Sequence, residues 1–548
     1  MRVLGVEGTA WAASAAVYDA GTDAVLMETD AYRPGSGGIH PREAAEHMSD
    51  AVPAVIEAVL DRARAEYGAD PIDAVAFSRG PGLGPCLRVV GTAARALAGS
   101  LDLPLVGVNH MVAHLEIGRH RSGFASPVCL NASGANAHLL GYRDGRYRVL
   151  GETMDTGVGN ALDKFARHVG WGHPGGPKVE AAADDGEYVD LPYVVKGMDF
   201  SFSGLVSAAK EAHDGGTPVE DVCRGLQESV FAMLTEVSER ALALTGADEL
   251  VLGGGVGQND RLRGMLASMC ADRGAEFYAP EPRFLRDNAG MIAVLGAKMY
   301  AAGDTVPIAD SRVDPDFRPD EVPVTWRSGE SVARGEPRAD DAAAGDAAEV
   351  RGAEAVVRIE GDRVVKVRRP KGYRHPDLDE RLRRERTRGE ARLTSGARRE
   401  GVPTPVVHDV DVPEARLVFG FVGDRDLAAA PTPERARTVG GHLATLHRAG
   451  IVHGDPTTRN ARIADGDGDG EERVYLIDFG LGYHSGHVED HAMDLHVLRG
   501  SLAGTVDGAG PLLDAARAGY AEAAPGEGWT PGDVLDRLDA VEDRGRYR

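Results

Sequence analysis

The chain has little lysine for its size. Seven of its 61 basic residues are lysines and the rest are arginines, whereas 85 residues are acidic and the net charge is −24. Such a composition is typical of salt-loving organisms, whose molar salt screens charge repulsion beyond about 3 Å. The acidity therefore indicates an adaptation to solvent. It does not exclude a nucleic acid as partner, although such partners usually meet a basic face.

Cysteines and long apolar runs are also scarce. The four cysteines (Cys86, Cys129, Cys223 and Cys270) form no Cys-x-x-Cys pair, so they indicate neither a disulfide framework nor a zinc ribbon. The strongest apolar runs, such as residues 291–295, are too short to cross a membrane. The opening residues read as a strand and not as a signal peptide. We therefore expect a cytoplasmic protein with no membrane partner.

At 548 residues the chain is too long for one ordinary core. Residues 327–350 are rich in Ala, Gly, Asp, Glu and Arg and poor in large apolar side chains, which predicts an acidic, flexible linker. Upstream, strand-like runs such as residues 3–6 and 74–77 alternate with helical stretches such as residues 41–67. That alternation predicts an α/β architecture for residues 1–326.

Downstream of this linker, residues 351–548 form a second predicted domain. Residues 355–359 and 363–368 predict a hairpin, and a long helix from Pro376 and another over residues 433–448 follow. The second domain is therefore expected to be a small α+β unit.

Four residues of the second domain occur in the order that phosphoryl transfer requires. Lys366 lies in a β-branched strand, where a buried ammonium needs a carboxylate or a phosphate. Asp455 and Asn460 follow in a catalytic-loop-like stretch, and Asp478 opens an Asp-Phe-Gly tripeptide. A Lys on the phosphates, an Asp at the attacking oxygen, and Asn plus Asp on Mg²⁺ are the parts of a kinase site.

The same domain departs from protein kinases in two places. The phosphate-covering loop lacks the Gly-x-Gly-x-x-Gly pattern and reads Gly352-Ala353-Glu354-Ala355. Only residues 481–488 separate the Asp-Phe-Gly from the next acidic run, and no Ala-Pro-Glu follows. Since little room remains to hold a peptide substrate, we expect an ATP-hydrolysing switch first and a protein kinase second.

Residues 351–548 resemble the small atypical serine/threonine kinase of the KEOPS tRNA-modification complex, through residues 371–376, 384–388 and 544–547. The resemblance nominates Glu390 as the ion-pair partner of Lys366, with Glu385 as the alternative. It implies Mg²⁺ with ATP as cofactors and the following site residues: Lys366, Glu390, Asp455, Asn460 and Asp478 for catalysis, Gly352, Ala353, Glu354, Ala355 and Lys366 for ATP, and Asn460 and Asp478 for Mg²⁺.

In the first domain, His110 and His114 stand at i and i+4, which places both on one helix face and suits a transition metal. Asp287 is available as a third ligand. Half of a zinc-protease motif is the rival interpretation, but Met111 stands where that motif needs its glutamate base. Three stretches, residues 157–163, 172–180 and 253–259, pair glycines with polar groups in the manner of nucleotide loops.

Residues 1–326 resemble the tRNA threonylcarbamoyladenosine transferase of the same complex, an actin-like fold of two lobes, through residues 78–84, 196–204 and 317–322. The resemblance implies that His110, His114 and Asp287 hold a metal, iron in that family, with zinc as the alternative. It places threonylcarbamoyl-AMP against the following residues: Asn131, Ala132, Ser133, Gly134, Ala135, Asp163, Gly176, Glu180 and Asn259.

One departure concerns the metal. Where the family tends to have a tyrosine proposed as an extra ligand, this chain has Asn131. Asn131 is a candidate ligand in its place, and otherwise the fourth position goes to water or substrate.

The two resemblances imply a bifunctional enzyme from a halophilic archaeon: a tRNA N6-adenosine threonylcarbamoyltransferase fused to an atypical serine/threonine kinase that acts mainly as an ATPase. The group would move from threonylcarbamoyl-AMP to adenosine 37 of tRNAs that read codons beginning with A. Other KEOPS subunits are expected partners. Basic candidates for tRNA phosphates, which salt bridges explain equally well, are Arg381, Arg383, Arg384, Arg386, Arg388, Arg544, Arg546 and Arg548. A signalling kinase with an actin-like scaffold is the alternative function.

Overall fold

The computed structural model describes residues 1–32, 39–328, 349–464, 472–526 and 528–544. These residues form two parts, residues 1–328 and residues 349–544. Among them no helix combines the length and the apolar character that a membrane span requires.

The first lobe of the first part is built on a five-stranded sheet in the order β3-β2-β1-β4-β5. β1 pairs antiparallel with β2 and parallel with β4. The elements are β1 (Arg2–Glu7), β2 (Ala12–Asp19), β3 (Ala24–Ala31), α1 (Pro41–Tyr67), β4 (Ala74–Gly80), α2 (Gly84–Leu101), β5 (Leu105–Asn109) and α3 (His110–Ser122).

The second lobe repeats this topology. Its sheet has the order β12-β11-β6-β7-β8, in which β6 takes the central place of β1 and pairs antiparallel with β7 and parallel with β11. The elements are β6 (Val128–Ala132), β7 (Ala137–Arg143), β8 (Arg146–Glu152), α4 (Val158–His168), α5 (Gly176–Ala183), β9 (Val195–Lys196), β10 (Asp199–Phe200), α6 (Ser203–Asp214), α7 (Val219–Thr245), β11 (Glu249–Gly253), α8 (Asp260–Arg273), β12 (Glu276–Tyr278), α9 (Pro282–Leu285) and α10 (Ala289–Ala301). This duplication is the actin-like arrangement, and it confirms the predicted fold class.

Helices α3 and α10 lie between the two sheets, where small residues permit close packing. A Cβ on Gly5 of β1 would lie 2.5 Å from the Ala289 carbonyl oxygen of α10, and Gly118 of α3 packs directly on Val251 of β11. The N-termini of these two helices therefore come close to the carboxyl end of β1. This packing brings the candidate metal ligands together.

The second part has a small sheet lobe and a helical lobe. Its five-stranded antiparallel sheet has the order β13-β14-β15-β17-β16. The elements are β13 (Glu349–Arg351), β14 (Ala355–Glu360), β15 (Arg363–Arg368), α11 (Pro376–Arg399), β16 (Val407–Asp411), β17 (Arg416–Gly420), β18 (Arg425–Asp426), α12 (Pro433–Arg448), β19 (Ile451–Val452), β20 (Ala461–Ala464), β21 (Arg473–Leu476), β22 (Tyr483–His484), α13 (Val488–Thr505), α14 (Gly510–Ala521) and α15 (Pro531–Arg544). The predicted kinase-like hairpin and both predicted helices are present.

The predicted linker is too long at both ends. Arg327 is buried, with its guanidinium 3.7 Å from the centre of the Tyr142 ring and bonded to the Ala125 carbonyl, so it belongs to the first part. Residues 349 and 350 lie in β13, paired with β14. They end a stretch rich in Ala, Gly, Asp and Glu, and composition alone does not reveal a three-residue edge strand that depends on pairing with β14. Residues 329–348 lie outside the described residues.

Candidate functional sites

Helix α3 starts at the first candidate metal ligand. The side chain of Asn109 caps the helix by accepting hydrogen bonds from the N–H groups of Met111 and Val112, at 3.0 and 3.1 Å. Such a cap fixes the first turn. Because His110 opens the helix and His114 follows one turn later, both imidazoles lie on the face that meets the start of α10.

Asp287, just before α10, completes the cluster. Its Oδ1 lies 3.3 Å from Nε2 of His110 and 3.3 Å from Nε2 of His114. The three candidate ligand atoms all lie within 4.8 Å of one another. Two imidazoles and one carboxylate on one side of a metal, with further positions open, form the donor set of non-haem Fe(II) sites. The residues present therefore fit iron.

Burial and charge act against each other in this cluster. Burial opposes the charged form of His110, but the carboxylates of Glu7 and Asp287 outweigh it and raise the pKa of His110 to about 10. Burial also favours a neutral Asp287, yet the His110 charge and hydrogen bonds from both histidines lower the pKa of that carboxyl. The pKa of His114 is lowered by burial and by the neighbouring His110. A cation bound here would meet one carboxylate held ionised.

Glu7 was missed by the reasoning from sequence. It is fully buried at the end of β1, and its Oε2 lies 3.1 Å from Nδ1 of His110. The N–H and the hydroxyl of Thr9 donate to its other oxygen at 2.8 and 2.7 Å. Thr9 therefore directs both of these donors to Glu7. A strand-end carboxylate carries no spacing signal by which it could have been found.

Asn131 lies beside the cluster at the end of β6. Its amide Nδ2 faces the Met111 sulfur at 3.5 Å, and a Cβ on Gly254 would lie 2.6 Å from its Oδ1. That oxygen has no hydrogen-bond partner among the described residues. The role of Asn131 as a metal ligand stays a prediction.

The predicted adenylate loops meet where β6 and β11 end. The stretch after β6 contacts the start of α4, since Gly159 and Asn160 donate N–H bonds to the carbonyls of Ser133 and Gly134 at 3.2 and 2.9 Å. Gly254, after β11, packs on the carbonyl of Ala132. Carboxyl ends of parallel strands are where open α/β sheets bind ligands. The loop residues from Asn131 to Ala135 thus lie against the glycine-rich stretches of residues 157–163 and 253–259.

Polar residues of these loops have specific partners. Asp163 accepts the N–H of Gly175 at 2.6 Å and lies 2.9 Å from Nδ1 of His173, which places it beside Gly176. Asn259 caps α8 by accepting the Leu262 N–H at 3.0 Å, and Glu180 accepts the N–H of the residue after Asn259 at 3.0 Å. Burial raises the pKa of Glu180.

The kinase-like cluster forms around Lys366 in β15. Its ammonium lies 2.9 Å from Glu390 of α11 and 2.7 Å from Oδ1 of Asp478. The alternative partner, Glu385, is exposed on α11, 3.8 Å from Arg381. Asp478 has φ of 64°, a conformation that costs energy for a non-glycine residue and that is enriched at functional sites.

Asp455 and Asn460 lie on the other side of this cluster. The Asn460 amide donates to the carbonyl of Asp455 at 2.8 Å and to its Oδ2 at 3.2 Å, so the Asn460 oxygen remains available as a metal ligand. Burial, assisted by the Asp478 charge, raises the pKa of Asp455 to about 6, against the opposing charge of Arg240. Burial also acts on Asp478, but Lys366 and Arg368 outweigh it and lower its pKa to about 2.

An arginine of the first part reaches into this second cluster. Arg240, near the end of α7, donates to Oδ2 of Asp455 at 2.9 Å and to Glu354 at 2.7 Å. Glu354 belongs to the predicted phosphate-covering loop, whose Gly352 carbonyl also meets Arg273 at 3.5 Å. Nothing in the sequence connects a helix of one domain with the catalytic loop of the other, so this contact could not be predicted.

Comparison with known proteins decides the family. Residues 24–294 match the model of the tRNA N6-adenosine threonylcarbamoyltransferase family, TsaD. A protein of Halobacterium salinarum named probable bifunctional tRNA threonylcarbamoyladenosine biosynthesis protein is 68% identical over 550 residues, covering all of this chain and 99% of that protein. The chain belongs to this bifunctional family.

Other proteins of the same name have the same extent. The protein of Haloarcula marismortui is 65% identical over 560 residues, and that of Methanospirillum hungatei is 49% identical over 545 residues. Each alignment covers the whole of this chain and at least 99% of the relative. The bifunctional tRNA threonylcarbamoyladenosine biosynthesis family therefore has both parts in one chain.

Proposed function

We propose that the chain forms N6-threonylcarbamoyladenosine in tRNA, with the first part as the transferase and the second part as a regulatory ATPase. The threonylcarbamoyl group moves from threonylcarbamoyl-AMP to N6 of adenosine 37 in tRNAs reading codons that begin with A. The observation that carries the proposal is the His110, His114 and Asp287 cluster beside loops that suit an adenylate.

The donor is a mixed anhydride and the acceptor amine is a weak nucleophile. The N6 nitrogen bonds to the carbamoyl carbon, AMP leaves and the amine loses a proton. The residues from Asn131 to Ala135, with Gly176 and Asn259, hold the adenylate, and orientation lowers the barrier by removing rotational freedom in advance. A metal held by the three ligands, iron or zinc, supplies Lewis-acid polarisation when bound.

For the second part we propose ATP hydrolysis with Mg²⁺ and, more slowly, phosphorylation of serine or threonine. Lys366 binds phosphate oxygens, Asn460 and Asp478 bind Mg²⁺, and Asp455 accepts a proton from the attacking oxygen. Backbone groups of residues 352–355 cover the phosphates. If the chain phosphorylated partner proteins faster than it hydrolysed ATP, the ATPase assignment would be contradicted.

Fewer of the candidate arginines are available to tRNA phosphates than the sequence suggested. Arg386 is buried, bonded to Glu354 and 3.1 Å from Glu236, so it is not available to a nucleic acid. Arg381 and Arg383 make ion pairs with Asp190 and Asp379. We propose Arg384 and Arg388, which are exposed on α11, as the phosphate contacts, although Arg384 also pairs with the exposed Glu380 at 2.7 Å. Arg544 stays a candidate from the sequence alone. Arg546 and Arg548 lie outside the described residues.

Incubation with threonylcarbamoyl-AMP and unmodified tRNA tests the proposal. Analysis of the nucleosides should detect threonylcarbamoyladenosine, and other KEOPS subunits, the proposed protein partners, should raise the yield. A chain that phosphorylates proteins but never modifies tRNA, even with those subunits, would support the signalling-kinase alternative.

A further inference from the structure

Glu7 is a buried carboxylate that the proposed reaction leaves without a role. Burying an ionised group is costly unless its oxygens are bonded. Here Thr9 donates twice to Oε1, at 2.8 and 2.7 Å, and the hydroxyl of Ser78 donates to Oε2. Nδ1 of His110 lies 3.1 Å from the same Oε2. Residues from the turn after β1, from β4 and from α3 thus converge on the Glu7 carboxylate.

This geometry determines which nitrogen of His110 keeps its proton when a metal displaces the other proton. A carboxylate oxygen only accepts hydrogen bonds, so Nδ1 must be the donor. In a neutral imidazole the lone pair then lies on Nε2, the atom that faces Asp287. A histidine that ligates a metal commonly donates its other N–H to a carboxylate in this way.

The second histidine of the cluster lacks such a partner. Nδ1 of His114 is buried and makes no hydrogen bond with any described residue. Its ring meets the His110 ring edge-on, with 4.8 Å between the ring centres, and its Nε2 contacts Asp287. Of the two histidines, only His110 therefore has a described partner that fixes its tautomer through Nδ1.

We propose that Glu7 is a positioning residue, which fixes His110 in the tautomer and orientation that present Nε2 to the metal. The inference rests on the proposed metal site and adds to it a residue from the first strand. The competing role is purely structural, since Glu7 also ties β1 to β4 through Ser78. That role would change stability without changing how the ligand nitrogen meets a metal.

Glu7→Gln separates the two roles. The glutamine is nearly isosteric, and its oxygen should face Thr9, whose backbone N–H can only donate. Its NH₂ then faces the Ser78 hydroxyl and Nδ1 of His110, both of which can accept. Facing His110, it favours a bare Nδ1 and a protonated Nε2, which cannot bind metal. Loss of an outer carboxylate partner typically weakens metal affinity about 10- to 100-fold.

The matched control is Glu116→Gln. Glu116 lies on α3, the helix that carries both ligand histidines, and is as deeply buried as Glu7. Its partners are different: Lys298 at 2.7 Å, Arg119 and Tyr147. It removes a buried carboxylate from α3 without touching the ligand set. His110→Ala, which removes a ligand, gives the lower limit of affinity.

The experiment measures Co²⁺ and Fe²⁺ affinity of the full-length chain by competition with a chromophoric chelator. The Co²⁺ absorption spectrum and the melting temperature are recorded in parallel. We expect Glu7→Gln to bind about 10- to 100-fold more weakly with an altered Co²⁺ spectrum, and Glu116→Gln to bind as the wild type does. Wild-type affinity and spectrum in Glu7→Gln would overturn the inference.

Two further outcomes are decisive. If His110→Ala binds metal as well as the wild type does, the proposed metal site fails and the role of Glu7 fails with it. If Glu7→Gln does not fold, Glu7→Asp takes its place, because it keeps the charge but withdraws the carboxylate by about one carbon–carbon bond. Weaker metal binding by folded Glu7→Asp supports the inference, and unchanged binding overturns it.

Discussion

Asp455 and Asp478 are carboxylates of one cluster with opposite pKa shifts. Burial dominates at Asp455 and raises its pKa to about 6, whereas Lys366 and Arg368 outweigh burial at Asp478 and lower its pKa to about 2. Pairs of titratable groups whose pKa values move apart separate acid–base work from electrostatic work. The arrangement suits Asp478 as a permanent Mg²⁺ ligand and Asp455 as the group that exchanges a proton.

The ATPase rate should therefore fall as the pH falls through about 6, since Asp455 must be deprotonated to accept a proton. Arg240 lowers the Asp455 pKa, so Arg240→Met should move this acid limb to higher pH. Arg437→Met, at an exposed arginine paired with Glu522, serves as control. Rate profiles at saturating Mg²⁺ and ATP measure both effects. A rate that stays level well below pH 6 would exclude Asp455 as the base.

The partner of Lys366 provides a second test at this scale. Glu390→Gln removes the carboxylate 2.9 Å from the ammonium and should reduce ATP hydrolysis about 100-fold through misplacement of the lysine. Glu385→Gln, at the alternative position on the same helix, should leave hydrolysis near the wild-type rate. Equal losses in the two variants would argue against a specific Lys366–Glu390 pair.

At the scale of secondary-structure elements, the sequence predicted the bounds of helices whose ends are set by local capping residues. Residues 433–448 were predicted as a helix, and α12 has those bounds because Thr432 caps it, with Pro433 at its first position. Residues 41–67 were likewise predicted as helical, and α1 has those bounds, with Pro41 at its first position and Gly68 after its end. The duplicated sheet order was expected only through the family resemblance, since strand order depends on contacts distant in sequence.

The packing of α10 on β1 can be tested by Gly5→Ala. The added Cβ would meet backbone atoms of Ala289 and Ala293 at 2.5 and 2.6 Å, which cannot move aside as a side chain can. Overpacking of this kind costs about 1–3 kcal/mol. Gly204→Ala in α6, where a Cβ meets nothing within 4 Å, should leave the melting temperature unchanged or slightly raised. A Gly5→Ala melting temperature equal to the control would contradict this packing.

At the scale of the whole molecule, buried charges join the two parts. Glu236 and Glu239 of α7 pair with Arg374 and Lys371 at 2.6 Å each, and Tyr373 also packs in the first part's core. The residues of the candidate metal site and of the kinase-like site could be predicted from the sequence, but this interface could not. Charged residues on a long helix such as α7 are equally typical of a solvent-exposed face. The interface explains how Arg240 reaches Asp455.

The net charge of −24 should make stability depend on salt. Repulsion among acidic residues is screened within about 3 Å at 1 M salt but reaches about 10 Å at 0.1 M. We expect the melting temperature, followed by circular dichroism, to fall as KCl is lowered from molar to about 0.1 M. Sucrose, which is uncharged, should restore it less than salt does. A melting temperature independent of KCl would contradict the solvent-adaptation account.

The central claim is that the histidine cluster serves transfer to tRNA, and one assay tests it most directly. Wild-type chain and a His110→Ala/His114→Ala variant are each incubated with Fe²⁺, threonylcarbamoyl-AMP and unmodified tRNA, and threonylcarbamoyladenosine is quantified by mass spectrometry of the nucleosides. The account predicts product with the wild type and loss of product together with bound metal in the variant, whose ATPase persists. Undiminished product from a folded, metal-free variant would contradict it.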